Sequence, residues 1–209
     1  MFFCKGVNIM SRLSKSFIYK GFIKDLKEHY GDSAAKDIWK EANTYLRDFE
    51  ATQKDMDSDS RMMILPAASL YIALYKRDPE NALEILKDYG TRMGNKIAGI
   101  VHTVTSIPGV SGLIWKNAAK LMRNMSSEQK GYTRRIVSES DKLVAVDILS
   151  CPLHDAAVRI GIPEAAQVVC AMDKAYMTGF RHIKYTRTTS VAEGDNCCDY
   201  RLSYDKNKR

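Results

Sequence analysis

The sequence lacks most of the short motifs that assign a chain to a large enzyme class. It contains no glycine-rich phosphate loop, no Gly-x-Ser-x-Gly turn and no His-Glu-x-x-His motif. It also has no internal repeat and no low-complexity segment. These absences leave P-loop nucleotide binding, α/β-hydrolase chemistry and zinc-peptidase chemistry without sequence support.

A disulfide framework and a secretory signal are also missing. The five cysteines are an odd number, and Cys197 and Cys198 are adjacent, so they do not form the pairs of a small secreted scaffold. Residues 1–5 lack the charged region, apolar core and cleavage site of a signal peptide. We therefore expect reduced thiols and a cytoplasmic protein.

The charge pattern argues against a polyanionic partner. The formal net charge is +7, but the basic residues are scattered, with only short clusters such as Arg134 and Arg135. Aromatic and basic side chains do not alternate as in a strand-binding platform. We expect no nucleic-acid partner, whereas a small carboxylate-bearing substrate would suit the positive balance.

One uncharged stretch, residues 97–115, approaches the length of a membrane span. It contains His102, Pro108, three glycines and several hydroxyl side chains, whereas a spanning helix needs about 20 strongly apolar residues. We interpret it as a loop between two helices and expect no membrane partner.

The first 125 residues predict a series of helices. Apolar residues recur at helical spacing in residues 14–29, for example Phe17, Phe22 and Leu26, with lysines on the opposite side. Residues 30–32 end that helix. The segment 61–76 is apolar enough to form core or to support a homo-oligomer interface. A second helix, capped by Asp32 or Ser33, is predicted to run through residues 38–46. Further helices are predicted over residues 61–76, from 78 to about 93 or beyond, and over 110–125.

After residue 126 the spacing of apolar residues changes from that of helices to the alternation of strands. Residues 132–139 and 142–150 alternate and are rich in β-branched side chains, with a hairpin turn at Ser140 and Asp141. Helices over 153–160 and 163–178 and strands over 183–192 and 197–204 follow. The fold class is therefore α+β: a helical region, residues 1–125, and a region with a four-stranded, mainly antiparallel sheet, residues 126–209. Whether these are two domains or one continuous domain stays open.

The helix over residues 163–178 carries a candidate reactive pair. Cys170 and Asp173 are three residues apart and so share a helix face. A thiol and a carboxylate at this spacing suit acid–base or nucleophilic chemistry. A packed cysteine and a solvated aspartate would show the same spacing.

Cys151 and His154 form a Cys-x-x-His pair at the start of a helix. Such a pair supplies two zinc ligands, which Cys170 or Cys198 would complete. A helix N-terminus also favours the thiolate. Because a second tight ligand pair is missing, we expect no cofactor and keep zinc as the alternative.

The side chains of the last predicted strand alternate between two faces. Cys197, Asp199 and Arg201 share a polar face, whereas Cys198 and Tyr200 share the predicted core face. On the preceding strand, Arg187 and Thr188 form a candidate grip for an anion, because a guanidinium binds a carboxylate through two parallel hydrogen bonds.

The order of these elements resembles a known family. The quoted pattern is Cys151-Pro152, then Cys170-x-x-Asp173, then Arg187-Thr188, then Gly194-x-x-x-Cys198-Asp199-Tyr200-Arg201. It is similar, over about residues 130–204, to the L-2-amino-thiazoline-4-carboxylic acid hydrolase family, with Cys197 as an addition to the pattern. The resemblance implies hydrolytic opening of a small cyclic amidine that carries a carboxylate. A looser similarity links the cysteines to vinyl-reductase-type domains, which bind small ligands without hydrolysing them.

Two function hypotheses follow. The first hypothesis is a hydrolase acting on a C–N bond of a small cyclic amidine or amide. In it, Cys170 attacks the amidine carbon or activates water there, and Asp173 orients and protonates the ring nitrogen. His154 would act as the base, and Arg187 or Arg201 would hold the substrate carboxylate. Cys198, Asp199 and Thr188 would complete the site.

The second hypothesis is a non-enzymatic small-ligand or metal sensor, with the alternative ligands Cys151, His154, Cys170 and Cys198.

Overall fold

The computed structural model describes residues 12–208 and, within them, eight α-helices and four β-strands. Residues 1–5, on which the expected absence of a signal peptide rests, lie outside the described residues. The helices are α1 Arg12–Lys15, α2 Phe22–Thr52, α3 Ser58–Tyr75, α4 Ala82–Thr105, α5 Val110–Lys116, α6 Ala118–Met125, α7 Pro152–Arg159 and α8 Glu164–Tyr176. The strands are β1 Thr133–Glu139, β2 Leu143–Ser150, β3 Ile183–Thr186 and β4 Cys198–Tyr204.

The continuous helix predicted over residues 14–29 is wrong. The chain leaves helical geometry after Lys15 and re-enters it at Phe22. Two hydrogen bonds hold the intervening turn. Ser16 Oγ accepts the Tyr19 N–H within the turn, and the hydroxyl of Tyr89, a residue of α4, donates to the Ile18 carbonyl. The stop predicted at residues 30–32 appears as a kink within α2 at Gly31, whose φ is 77°.

The interpretation of residues 97–115 as a loop is also wrong, because α4 continues to Thr105 and α5 begins at Val110. The hydroxyl groups do not break the helix, since Thr103 and Thr105 donate to carbonyls four residues earlier. Among residues 12–208, no single helix is long and apolar enough to cross a membrane. Only α4 and α5 together reach that length and composition, and they are bent by 103°.

The sheet is antiparallel throughout, with strand order β1-β2-β4-β3, and the α+β class is confirmed. The strand predicted over residues 183–192 ends at Thr186. Beyond it, the N–H groups of Thr188 and Thr189 donate to the Asp199 carboxylate rather than to a neighbouring strand, and a 3-10 helix, Val191–Glu193, follows.

Two buried clusters form the interior. The larger joins α2, α3 and α4 with α7 and α8, and it contains the apolar side chains of α3, such as Ile64 and Leu70. The smaller joins α6 to one face of the sheet. Helix α8 reaches both, since Met172 belongs to the larger cluster and Tyr176 packs against the smaller. The candidate site lies where the two clusters meet.

Candidate active site

A cavity of about 350 Å³ brings most of the candidate residues together. Its walls come from α8, the start of α7, the segment after β3, and β4. Apart from a few polar groups, the walls are aliphatic and aromatic. The candidate residues that line it are Cys151, His154, Cys170, Asp173, Arg187 and Cys198.

The backbone geometry explains this convergence. The pairing of β2 with β4 places Ile148 opposite Cys198, so both side chains point to the same face of the sheet. Cys151 follows β2 directly and is the N-cap residue of α7. The helical spacing of Cys170 and Asp173 turns both toward this face from α8.

The polar part of the wall is a hydrogen-bonded cluster of Arg187, Asp173 and Tyr200, of which Arg187 is buried and the other two are partly buried. Arg187 Nη1 donates to Asp173 Oδ2 and to the Tyr200 hydroxyl, each at 3.1 Å. Its Nη2 donates to the Cys170 carbonyl at 2.9 Å, and the Tyr200 hydroxyl donates to Asp173 Oδ2 at 2.6 Å. The Arg187 side chain is only 5% exposed, and the Asp173 carboxylate balances its positive charge.

The Asp173 carboxyl is under opposing influences. Burial raises its pKa, whereas the Tyr200 hydrogen bond and the Arg187 charge lower it. Both donors bind Oδ2, which leaves Oδ1 for a ligand in the cavity. A carboxyl in this setting can hold a proton at a higher pH than an exposed aspartate can.

The three cavity thiols differ in the surroundings that favour or oppose their thiolate forms. Burial raises the pKa of Cys170 to about 12, against the nearby Arg187 charge. Burial also raises the pKa of Cys198, although the Val191 N–H donates to its Sγ at 3.3 Å. The pKa of Cys151 is raised as well, because burial outweighs the opposing effect of the backbone N–H groups at the start of α7. Cys151 is therefore the thiol placed at a helix N-terminus, the position that favours a thiolate.

The other candidate residues lie outside the cavity. Asp199 accepts hydrogen bonds from the backbone and hydroxyl groups of Thr188 and Thr189. Arg201 Nη2 donates to Asp147 Oδ1 at 2.7 Å on the opposite face of the sheet, where Arg135 binds the same carboxylate. Asp199 and Arg201 thus stabilise a loop and the outer face of the sheet.

Three tyrosines complete the cavity wall, and sequence reasoning gave none of them a role in the site. Tyr132, Tyr176 and Tyr200 all line it. Tyr200 lies on the core-facing side of β4 as predicted and packs against the smaller cluster. Its place in the quoted Cys-Asp-Tyr-Arg pattern was a usable signal. Tyr132 precedes β1 without any motif, so the sequence carried no sign of its position.

Within residues 12–208, no group of three or more histidine, cysteine, aspartate or glutamate residues could hold a metal ion. The four alternative ligands line one cavity without forming such a group.

The fold and the site define an α+β protein with a thiol-lined cavity and a hydrogen-bonded Arg–Asp–Tyr cluster in its wall. The model of the family described as L-2-amino-thiazoline-4-carboxylic acid hydrolase matches residues 59–202, more than half of the chain. The chain belongs to this family. A search of the curated proteins found no match. The family resemblance is confirmed, and the matched region begins well before residue 130, the start of the similarity given by the sequence pattern.

Proposed function

We propose that this protein is a small-molecule hydrolase that opens a C–N bond of a cyclic amidine or amide. Membership of the hydrolase family supports the reaction class. The observation that carries the proposal is the single cavity lined by three thiols and the Asp173–Arg187–Tyr200 cluster. Such a cavity combines a potential nucleophile, a potential base and a mainly apolar lining. Because the thiols are free, a reducing, cytoplasmic location is part of the proposal.

Cys151 is the proposed nucleophile in this cavity, in preference to Cys170. Both thiols face the ligand space. The start of α7 offers backbone N–H groups to a Cys151 thiolate, whereas burial holds the pKa of Cys170 near 12. His154, three residues after Cys151 and also in the wall, is the proposed base.

The reaction then proceeds in two steps. His154 takes the proton of the Cys151 thiol, and the thiolate adds to the amidine or amide carbon. The bond from that carbon to the ring nitrogen breaks as the nitrogen takes the proton from His154, while the Asp173 carboxylate orients the ring. Water then attacks the carbon bound to sulfur and gives a proton to His154, and the carbon–sulfur bond breaks as His154 returns that proton to the Cys151 sulfur. Arg187 acts as a positioning residue, because its hydrogen bond to Oδ2 orients Asp173.

Turnover of 2-amino-thiazoline-4-carboxylic acid and of uncharged cyclic amidines tests the proposal. Cys151→Ser is expected to reduce turnover by about 10³-fold, and iodoacetamide is expected to label Cys151 first. Cys197→Ser is the matched control, since Cys197 lies outside the cavity beside Thr189, and it should retain wild-type turnover. Loss of turnover in Cys170→Ser with full activity in Cys151→Ser would transfer the nucleophile role to Cys170.

A non-enzymatic ligand-binding domain is the second candidate. The apolar walls and the raised pKa values of all three cavity thiols favour it, because neutral thiols in an apolar cavity bind a ligand without attacking it. Ligand binding without turnover of any cyclic amidine or amide would support this candidate. A stoichiometric metal that is lost in Cys151→Ser would indicate a metal sensor.

A further inference from the structure

A second chamber adjoins the thiol cavity on the side of α5 and α6. It has a volume of about 210 Å³ and lies between these helices and the sheet. Its walls are almost wholly apolar. The residues unique to it include Ile114, Ala118, Leu121, Met122, Met125 and Leu202. We call it the α6 chamber.

The two spaces share part of their lining. Asp173, which is assigned to the reaction, and Tyr200, which hydrogen-bonds to it, line both the thiol cavity and the α6 chamber. Tyr132, Ile148 and Tyr176 also line both. A ligand whose reactive ring lies against Asp173 therefore has the α6 chamber directly beside it.

The charges of the two spaces do not favour a free carboxylate. Among residues 12–208, the cationic or potentially cationic side chains that line either space are Arg187 and His154. Arg187 is already paired with Asp173 and is almost fully buried. A substrate carboxylate would have to displace Asp173 from it, at the cost of leaving a buried charge without a partner.

The size of the α6 chamber matches an apolar group. A dry cavity of about 150 Å³ is enough to hold benzene in another protein, and the α6 chamber is larger than that. Burial of such a group against methionine and aliphatic side chains is favourable because apolar surface leaves water.

We propose that the α6 chamber binds an aryl or branched alkyl substituent of the substrate, whose reactive cyclic amidine or amide lies in the thiol cavity. This inference rests on the proposed function for the identity of the reactive ring. It assigns the substrate to uncharged, apolar ring compounds rather than to amino-acid-like carboxylates.

Equilibrium binding tests the inference without requiring turnover. The probes are 2-amino-4-phenyl-2-thiazoline, its 4-methyl analogue and 2-amino-2-thiazoline-4-carboxylate, each titrated calorimetrically into the full-length protein. We expect affinity to rise about tenfold from methyl to phenyl, and the phenyl compound to bind more tightly than the carboxylate. Equal affinity for methyl and phenyl, or tighter binding of the carboxylate, would overturn the inference.

Variants of α6 locate the bound substituent. Met122→Trp fills the chamber and should weaken binding of the phenyl compound about tenfold while leaving the methyl compound within twofold. Lys120→Trp is the matched control, because Lys120 is exposed on the same helix, and it should bind both compounds as the wild type does. Ala118→Leu is a smaller filling change for use if Met122→Trp lowers the folded fraction. Unchanged phenyl binding in a folded filling variant would overturn the inference.

The outcomes separate this inference from the proposed function. Chamber-dependent phenyl binding with no hydrolysis of any probe would reject the hydrolase and retain the apolar subsite. Hydrolysis that depends on Cys151, together with equal affinity for the methyl and phenyl compounds, would support the hydrolase and reject the apolar subsite.

Discussion

At the scale of single residues, Arg187 and Asp173 hold each other in place in the wall of the cavity. The guanidinium donates to the carboxylate at 3.1 Å, and the Arg187 residue is only 7% exposed. A buried ion pair adds little net stability over an apolar pair of the same shape, but removal of one partner leaves a buried charge uncompensated. The pair is therefore expected to be strongly coupled.

We predict that Arg187→Met lowers the free energy of unfolding by about 3–5 kcal/mol, as measured by urea denaturation at pH 7. The double variant Arg187→Met/Asp173→Asn should lose clearly less free energy of unfolding than the sum of the two single variants, because neither charge then remains without its partner. A double variant whose loss equals the sum of the two single losses would show that the residues are not coupled.

Asp199 is a second residue whose role is structural. Burial would raise its pKa, but the hydrogen bonds from Thr188 and Thr189 outweigh burial and lower it. The folded-state pKa then lies below the unfolded value of about 3.9. The stabilisation from Asp199 is therefore fully present above about pH 4 and is lost as the pH falls through the folded-state pKa.

We predict that Asp199→Asn lowers the free energy of unfolding by about 1–3 kcal/mol at pH 7, and that its difference from the wild type narrows below about pH 4. Urea denaturation at a series of pH values measures both effects. Asp88→Asn, at an exposed position, serves as the control and should follow the wild type throughout. A constant difference for Asp199→Asn down to pH 2 would contradict this linkage.

At the scale of elements, the contact between α4 and α8 depends on glycines. A Cβ atom on Gly90 would lie 2.6 Å from the Val168 carbonyl oxygen, and one on Gly94 would overlap the Met172 carbonyl oxygen. The two helices can pack this closely only because these side chains are absent. The position of α8, and with it Cys170 and Asp173, follows from that close approach.

We predict that Gly94→Ala lowers the free energy of unfolding by about 1–3 kcal/mol, because α4 and α8 must move apart. Gly99→Ala is the matched control on the same helix, where an added Cβ meets no atom within 4 Å. It should raise stability by about 0.5–1 kcal/mol through helix propensity. Thermal and urea unfolding measure both, and equal effects of the two substitutions would argue against the close contact.

The strands and α8 could be predicted from local patterns, whereas the end of β3 could not. The predicted bounds of β1, β2 and β4 agree with the structure to within one residue at each end, because alternation and β-branched content act over neighbouring residues. Residues 187–190 have strand-like composition, but the N–H groups of Thr188 and Thr189 donate to the side chain of Asp199 instead of to a neighbouring strand. That competition comes from another element, and no local pattern contains it.

At the scale of the whole molecule, the α+β region does not complete its core alone. Helices α7 and α8, which belong to residues 126–209, supply Ala157, Val168 and Met172 to the cluster formed by α2, α3 and α4. We propose that the two regions form one continuous domain and unfold together.

We predict that circular dichroism and tyrosine fluorescence report coincident urea transitions for the full chain. A fragment of residues 126–209 should lack near-ultraviolet circular dichroism, because its helices would expose the apolar face that α3 and α4 cover. Two separate transitions, or a fragment that folds by itself, would instead establish two domains.

The sequence by itself determined the α+β class, the strands β1, β2 and β4 and the family, because periodicity and residue spacing are local properties. It also identified Cys151, His154, Cys170, Asp173, Arg187 and Cys198, which the structure brings to one cavity. Only the tertiary structure decided what these side chains contact. It pairs Arg187 with Asp173 and places Arg201 on the outer face of the sheet with Asp147. Those partners are distant in the chain, so helix packing and strand register alone select them.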